Sequence, residues 1–593
     1  MLKRFFVSML GTMAGLWISI FLLVFGGIMV AAIALGKSAG DNAVKVKNNS
    51  VLVLDLAGNV EERYQPASFM AYIQNGENSA PTLEEMLTAV RSAANDNKIE
   101  GIYMKCGGSA MGTAAREELL EALKFFKESG KWIYAYSDSY AQGDYLLATV
   151  ADSILLNPVG SVDIHGVGGM TPFFTGLLDK LGVKMQIIKV GTYKSAVEPY
   201  ILKEMSAPAR RQMQQYVDTI WSFVSGTIAD NRAIPQVEIA DMASNFISQS
   251  PAEAFVQKNL VTGLAYERTV DDAIRSQLGI DEDDDINFIS ASSYTKSETV
   301  KNSLLSSGHD HIAVLYAVGD IVDSGDGGIV GPDMVSQICD LADDDNVLGM
   351  VLRVNSPGGS AFASEQIWEA LEYFKGKDKP LYVSMGDYAA SGGYYISCGA
   401  DSIFADITTL TGSIGVFGMI PDLSGLVTGK LGVTFTTIES NPNASGLSLV
   451  SPMSDEQHAA MQKGVERIYD LFTGRVAEGR GLPVDSVKAI AEGRVWVGAD
   501  ALQLGLVDRI GSLHTTICAM ADELGVDESD IVAYPKTEDK LWMQILRNSD
   551  EFSDLKVGDC MPYDAETARM LKTVKTLRNM NPMQARMEAI EVR

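Results

Sequence analysis

Apolar and polar positions along this chain first define an N-terminal block. From Phe5 to Gly36 the run FFVSMLGTMAGLWISIFLLVFGGIMVAAIALG carries no charged residue. A helix needs about 20 apolar residues to cross a bilayer, so the run predicts one membrane span. Lys3 and Arg4 precede it, which by the positive-inside rule puts the N-terminus in the cytoplasm; Lys37, Lys45 and Lys47 on the other side weaken that bias. Ala32-Ile33-Ala34 has the small-residue pattern of a signal-peptide cleavage site. The apolar run is about twice as long as an ordinary signal-peptide core, which favours a retained anchor.

Beyond the anchor, short β-rich runs alternate with helical stretches. MVLRV at 350–354 is followed by SEQIWEALEYFKG, then LYVSM, then a helix starting near Ser391, then SIFAD. Strand–helix–strand alternation predicts parallel βαβ units. The pattern occurs twice, in the same order and at an offset of about 250 residues. VLVLDLAGNV at 51–60 matches IAVLYAVGDIV at 312–322, and NKIEGIYMK at 97–105 matches NVLGMVLRV at 346–354. WIYAYSD at 132–138 matches LYVSMGD at 381–387, and YAQGDYLLATVADSI at 140–154 matches AASGGYYISCGADSI at 389–403. A period this long makes each unit a domain, not a solenoid repeat. The predicted division is an N-terminus and anchor over 1–46, a first repeat over 47–300, a second over 301–535 and a tail over 536–593. The repeats proper run from about 50 to 295 and from about 310 to 530. The stretch after 540 is read as a helical tail.

Composition narrows the function. The 593 residues carry a formal charge of −28, with a pI near 4.6. An acidic surface repels phosphate backbones, which argues against nucleic acid as a partner. Cys106, Cys339, Cys398, Cys518 and Cys560 are scattered singly with no CxxC pair, so neither a disulfide framework nor a zinc site is expected. The five histidines, His165, His309, His311, His458 and His514, lack a convincing metal-ligand context. No metal or cofactor is expected.

Divergence between the copies points to chemistry. The second repeat has Arg353-Val-Asn-Ser-Pro-Gly-Gly359 after its strand, where the first has Lys105-Cys-Gly-Gly-Ser-Ala-Met111, without the Pro-Gly-Gly. Ser391, ahead of two glycines, aligns with Gln142. Counted from the LGV that both repeats share, Lys194 aligns with Ala444. One copy keeps a serine and the other a lysine. A serine before Gly-Gly is ordinarily just a strand-to-helix turn, a loop lysine is ordinarily solvated, and Pro-Gly-Gly ordinarily marks a turn. Their complementary loss makes Lys194 the candidate base for Ser391. A solvated lysine is protonated at neutral pH; burial disfavours the charged form and can free an amine to accept the serine proton. Gly359 and Gly392 are candidate oxyanion donors, since glycine turns present bare backbone N–H groups. Ser413, in TGSIG, is placed to hold the lysine amine.

With NSPGG at 355–359, YAASGGYYISCGADSI at 388–403, TGSIGV at 411–416 and TYKSAVEPY at 192–200 assembled, the chain resembles the signal peptide peptidase A family in its double-length, membrane-anchored form. The resemblance covers nearly the whole chain. It implies an α/β fold of two tandem crotonase/Clp-protease-like domains behind an N-terminal transmembrane helix. It implies a serine protease with Ser391 as nucleophile, Lys194 as general base, Ser413 as support and Gly359 as oxyanion donor. Signal peptides already released and left in the membrane are the implied substrates, and a homotetramer the implied assembly. The catalytic domains would face the periplasm from an inner-membrane anchor. Two other readings remain at this point, an acyl-CoA enzyme of the crotonase type and an inactive membrane scaffold. Whether Ser391 and Lys194 meet within one chain or across subunits is open.

Overall fold

The computed structural model describes residues 44–64, 80–298, 300, 310–325, 327–527, 529–536 and 583–587. The predicted span from Phe5 to Gly36 lies outside the described residues, as do His309, Cys560 and most of the tail. Among the described residues no helix is long and apolar enough to cross a membrane.

Each repeat builds a sheet buried on both faces. In the strand Ser50–Asn59, Leu52, Leu54 and Leu56 enter one apolar cluster while Val51 enters another with Tyr103 and Tyr136. In the matching strand His311–Val318, Ala313, Leu315 and Ala317 take one side and Ile312, Val314 and Tyr316 the other. Side chains alternate across a strand, so burying both faces requires the nearly continuous apolar runs seen in the sequence.

The first sheet is parallel throughout. Its order is Gly263–Leu264, Ser153–Leu156, Trp132–Ser137, Ile99–Ala110, Ser50–Asn59, Asn287–Ser290. The second runs Leu410–Gly412, Leu381–Ala390, Val347–Ser356, His311–Val318, Ile531–Tyr534, all parallel, with Val495–Val497 added antiparallel at one edge. Helices connect the parallel strands, as Ala361–Lys375 does between Val347–Ser356 and Leu381–Ala390.

A third sheet joins the repeats. Lys184–Lys189 of the first repeat pairs antiparallel with Phe417–Asp422 of the second, over six residue pairs from Lys189–Phe417 to Lys184–Asp422. This pairing carries the chain that follows, including Lys194, across to the second repeat. The first repeat's core also takes in Ala390, Leu410, Val495 and Val497 from the second, so the two pack as a continuous apolar body.

The described part of the tail corrects the helical expectation. Met583–Arg586 is a strand, set between Gly358–Ser360 and Phe417–Asp422 and antiparallel to both. Met, Gln, Ala and Arg all favour helix in isolation. Here two flanking strands offer unpaired backbone groups on both sides, and pairing them outweighs propensity differences of a few tenths of a kcal/mol per residue.

Candidate active site

Ser391 stands where the strand Leu381–Ala390 ends and the helix Gly392–Ser397 begins. Its backbone is turned sharply, with φ 57° and ψ −112°, a conformation that a residue with a Cβ rarely adopts. Such strain costs about 1–3 kcal/mol and persists only where surroundings impose it. Here they do: the Ser391 N–H donates to Gly412 O at 2.8 Å, and its carbonyl accepts from the Tyr395 N–H at 2.8 Å. The glycines after it are required by space. A Cβ on Gly393 would stand 2.6 Å from the Ser356 carbonyl oxygen, and one on Gly392 2.7 Å from Ser364 Oγ.

Lys194 arrives from the first repeat. After Lys184–Lys189 the chain continues along the second repeat, with Val190 N–H donating to Val416 O at 3.3 Å and Tyr193 N–H to Glu492 O at 3.0 Å. Gly191 has φ 102° and its Cα lies so close to Glu492 that a Cβ would come within 2.3 Å of the Glu492 oxygen. Gln212 then braces the loop: its Nε2 donates to Ser195 Oγ at 2.9 Å while its Oε1 accepts from Val495 N–H at 3.3 Å.

The buried Lys194 amine donates to Ser391 Oγ at 2.8 Å, to Ser413 Oγ at 3.0 Å and to the Ser413 carbonyl at 3.1 Å. Ser413 also has positive φ, at 49°, and its N–H is held by Arg494 O at 2.7 Å. Gly359 lies in the short strand Gly358–Ser360, whose Ser360 side chain caps the next helix by accepting from the Ala363 N–H. A Cβ on Gly392 would stand 3.1 Å from Gly359 N, so the two glycine amides converge beside Ser391. Ser391, Lys194, Ser413, Gly359 and Gly392 are therefore gathered in one place within a single chain. A hydroxyl against an amine, beside converging backbone donors, is an arrangement able to form and stabilise an acyl intermediate.

The diverged position in the first repeat serves packing. Gln142 Oε1 accepts from the His165 and Gly166 N–H groups, both at 3.0 Å, and its Nε2 donates to Gly166 O at 2.8 Å. Ala444, the counterpart of Lys194, sits in an exposed turn. Cys106, Cys339 and Cys398 are free thiols, and Cys518 Sγ lies 3.5 Å from His514 Nε2.

Comparison with known proteins agrees in kind with this geometry. The profile described as peptidase family S49 matches residues 125–280 and 373–527, once in each repeat. Protease 4 of Haemophilus influenzae is 35% identical over 83% of this chain and 82% of its own length. The chain belongs to peptidase family S49. Protease 4 of Salmonella typhi is 35% identical over 74% of this chain and 72% of its own. Serine protease SPPA, chloroplastic, of Arabidopsis thaliana is 28% identical over 80% of this chain and 69% of its own. A solved ClpP1 chain of Listeria monocytogenes overlays 34% of this chain and 91% of its own at 15% identity, with a TM-score of 0.23, too low to assign a fold.

In this S49 peptidase, one cluster near the site escaped sequence reasoning. Arg353, fully buried on the strand before Asn355-Ser356-Pro357, reaches into the first repeat. Its Nε donates to Glu62 Oε1 and its Nη1 to Glu118 Oε1, each at 2.6 Å. Asn355 Nδ2 donates to the other oxygen of Glu62 at 2.9 Å. Asp387, on the strand that ends in Ser391, accepts from the Ala114 and Ala115 N–H groups of the first repeat. Ion pairs and a helix N-terminus thus fasten the strands under Ser391 to the first repeat. An arginine inside the apolar run MVLRV was the available signal, since such a charge needs a buried partner.

Burial dominates the acids of this cluster. It raises the Glu118 carboxyl despite Arg353, and raises Asp406 far above the carboxylate range, with the Glu118 and Glu117 charges adding to the effect. Arg353, in direct contact, pulls the Glu118 carboxyl back down, which leaves Asp406 the more strongly raised of the two.

Proposed function

We propose that this S49 peptidase is a serine endopeptidase working through a Ser391/Lys194 dyad on peptides left in or near a membrane. The single observation that carries the reading is the 2.8 Å contact between the buried Lys194 Nζ and Ser391 Oγ. The neutral amine takes the Ser391 proton as Oγ attacks a peptide carbonyl carbon. The tetrahedral oxyanion accepts from the Gly359 and Gly392 N–H groups. The Lys194 ammonium returns the proton to the departing amine, the C–N bond breaks, and an acyl-enzyme remains. A water then loses a proton to Lys194, attacks the ester, and the acid leaves as Ser391 is reprotonated. Ser413 keeps the amine aimed by holding it through its hydroxyl and carbonyl.

Cleaved signal peptides are the proposed substrates, on the strength of the family resemblance. The charge-free run from Phe5 to Gly36 supports a single-pass inner-membrane anchor, with the catalytic repeats on the periplasmic side. The Clp-protease/crotonase-like assignment and a homotetramer belong to the same reading. An acyl-CoA enzyme would have no use for a buried serine–lysine contact, and a retired scaffold would have no reason to keep its backbone strained at Ser391.

Fluorophosphonate labelling of the purified protein tests the proposal. Ser391 should be the modified residue in the wild type, and Ser391→Ala should not label. A wild type that neither labels nor cuts any unstructured apolar peptide would overturn it.

A further inference from the structure

The loop that carries Lys194 is packed on one side and open on another. On the packed side Lys194 rests on Gly493, where a Cβ would stand 2.7 Å from the Lys194 Cβ. Glu492 O accepts from the Tyr193 N–H at 3.0 Å and Arg494 O from the Ser413 N–H at 2.7 Å, so one short stretch of backbone serves both the lysine loop and its support. On the open side a cavity of about 770 Å³ borders Tyr193, Gln215, Phe223 and Arg494. The half-buried Tyr193 ring therefore has room to move. The Arg494 side chain meets that ring. Its guanidinium carbon lies 5.2 Å from the centre of the Tyr193 ring and 3.9 Å from that of Trp496. Its Nη2 donates to Gln215 Oε1 at 3.2 Å. Its Nε is buried with no hydrogen-bond partner among the described residues, as expected where ring faces cover it. A cation is attracted to an aromatic face, and arginine brings a flat group that hydrogen-bonds at its edge as well. Its partners are themselves fixed. Trp496 Nε1 donates to Ile490 O at 3.0 Å, and Gln215 Nε2 to Asp500 Oδ2 at 2.5 Å. Tyr193 and Gln215 belong to the first repeat, and Arg494, Trp496 and Asp500 to the second.

We propose that Arg494 is a positioning residue of the dyad, whose guanidinium clamps the Tyr193 ring to the second repeat and so fixes where the Lys194 side chain starts. This rests on the Ser391/Lys194 reading. A lysine stem is long and flexible, so its amine is aimed only as well as its loop is held. A misplacement of about 1 Å in a reacting group costs about a hundredfold in rate. Without the guanidinium the ring swings towards the cavity and the contact between Lys194 and Ser391 loosens. Because Arg494 acts through Lys194, the loss falls on the chemical step and not on peptide binding.

The test uses full-chain variants at both residues, followed by hydrolysis of a fluorogenic peptide and by the rate and endpoint of fluorophosphonate labelling. Arg494→Ala and Tyr193→Ala should each lower kcat and the labelling rate by about tenfold to fiftyfold, with KM within about twofold and labelling still reaching one group per chain. A full endpoint marks a displaced base, whereas a misfolded site lowers the endpoint. Arg494→Lys keeps the charge without the flat face and should stay within about threefold of Arg494→Ala. Tyr193→Phe keeps the ring and should recover most of the kcat that Tyr193→Ala loses. The double variant Arg494→Ala/Tyr193→Ala should be about as slow as the slower single, because both changes remove one contact. Wild-type rates or a reduced endpoint in Arg494→Ala, or losses that multiply in the double variant, overturn the clamp, while labelling of the wild type leaves the dyad standing. A wild type that does not label would instead remove the dyad itself.

Discussion

Lys194 Nζ and Ser391 Oγ lie 2.8 Å apart although 197 residues of chain separate them. One repeat contributes the amine and the other the hydroxyl, and neither repeat holds the pair. The contact depends on the strand pairing of Lys184–Lys189 with Phe417–Asp422 and on the Arg353 ion pairs that fasten the repeats.

Removing either side chain of that pair should remove the chemistry. Ser391→Ala and Lys194→Ala should each lower kcat/KM for a fluorogenic peptide by about a thousandfold or more, because both act in one proton-transfer unit. Melting temperature and gel-filtration volume should stay near wild type for Ser391→Ala. Only a neutral amine accepts a proton, so wild-type kcat/KM should rise with pH and then level off. Gln142→Ala, at the first repeat's counterpart of Ser391, should leave the steady-state constants within about threefold of wild type, in line with other changes outside an active site. Activity within tenfold of wild type in either dyad variant would sink the mechanism.

Ser413→Ala isolates the hydroxyl that aims the amine. Alanine takes the same backbone as serine, so the positive φ adds no new strain. The expected result is a fall in kcat of about tenfold to a hundredfold with KM little changed, since a positioning group acts on the chemical step. A change confined to KM would show that Ser413 contacts substrate instead.

A methyl group at Gly392 should cost more than its size suggests. It would stand 2.7 Å from Ser364 Oγ and 3.1 Å from both Gly359 N and the Ala585 carbonyl oxygen. Gly392→Ala should lower kcat by at least about a hundredfold, the usual loss when an oxyanion donor is displaced. Circular dichroism and melting should show the chain still folded, and a kcat near wild type would place the oxyanion elsewhere.

Asp406 predicts a pH-dependent stability. Burial and the Glu118 charge hold its folded carboxyl well above the ordinary range. Between the unfolded value near 3.9 and that raised value, the folded protein binds a proton that the unfolded chain has released. Stability from this group is therefore full below the unfolded value and is lost as pH rises towards the folded one. Asp406→Asn mimics the protonated form at every pH. Its melting temperature minus that of wild type should increase from pH 4 to pH 8, and a constant difference would show that Asp406 is not the titrating group.

Local patterns made much of this protein legible in advance. Strands buried on both faces must be apolar throughout, so they stand out as runs. Two such series in one order exposed the repeats without any structure. Complementary loss singled out Ser391 and Lys194, because a divided catalytic unit leaves each copy with only its own half. Arg353 was legible only as an oddity inside an apolar strand, since its partners Glu62 and Glu118 lie in the other repeat.

Sequence by itself determined the repeats, the parallel sheets and the identity of the candidate residues, because each follows from periodicity or from comparing one stretch with another. Only the tertiary structure decided that Lys194 reaches Ser391 within one chain, that Ser391 and Ser413 hold positive φ, and that Met583–Arg586 is a strand set between Gly358–Ser360 and Phe417–Asp422. These depend on contacts between segments far apart in the chain. Pairing energy and steric enclosure, supplied by the partner segment, there outweigh the local preferences that a sequence displays.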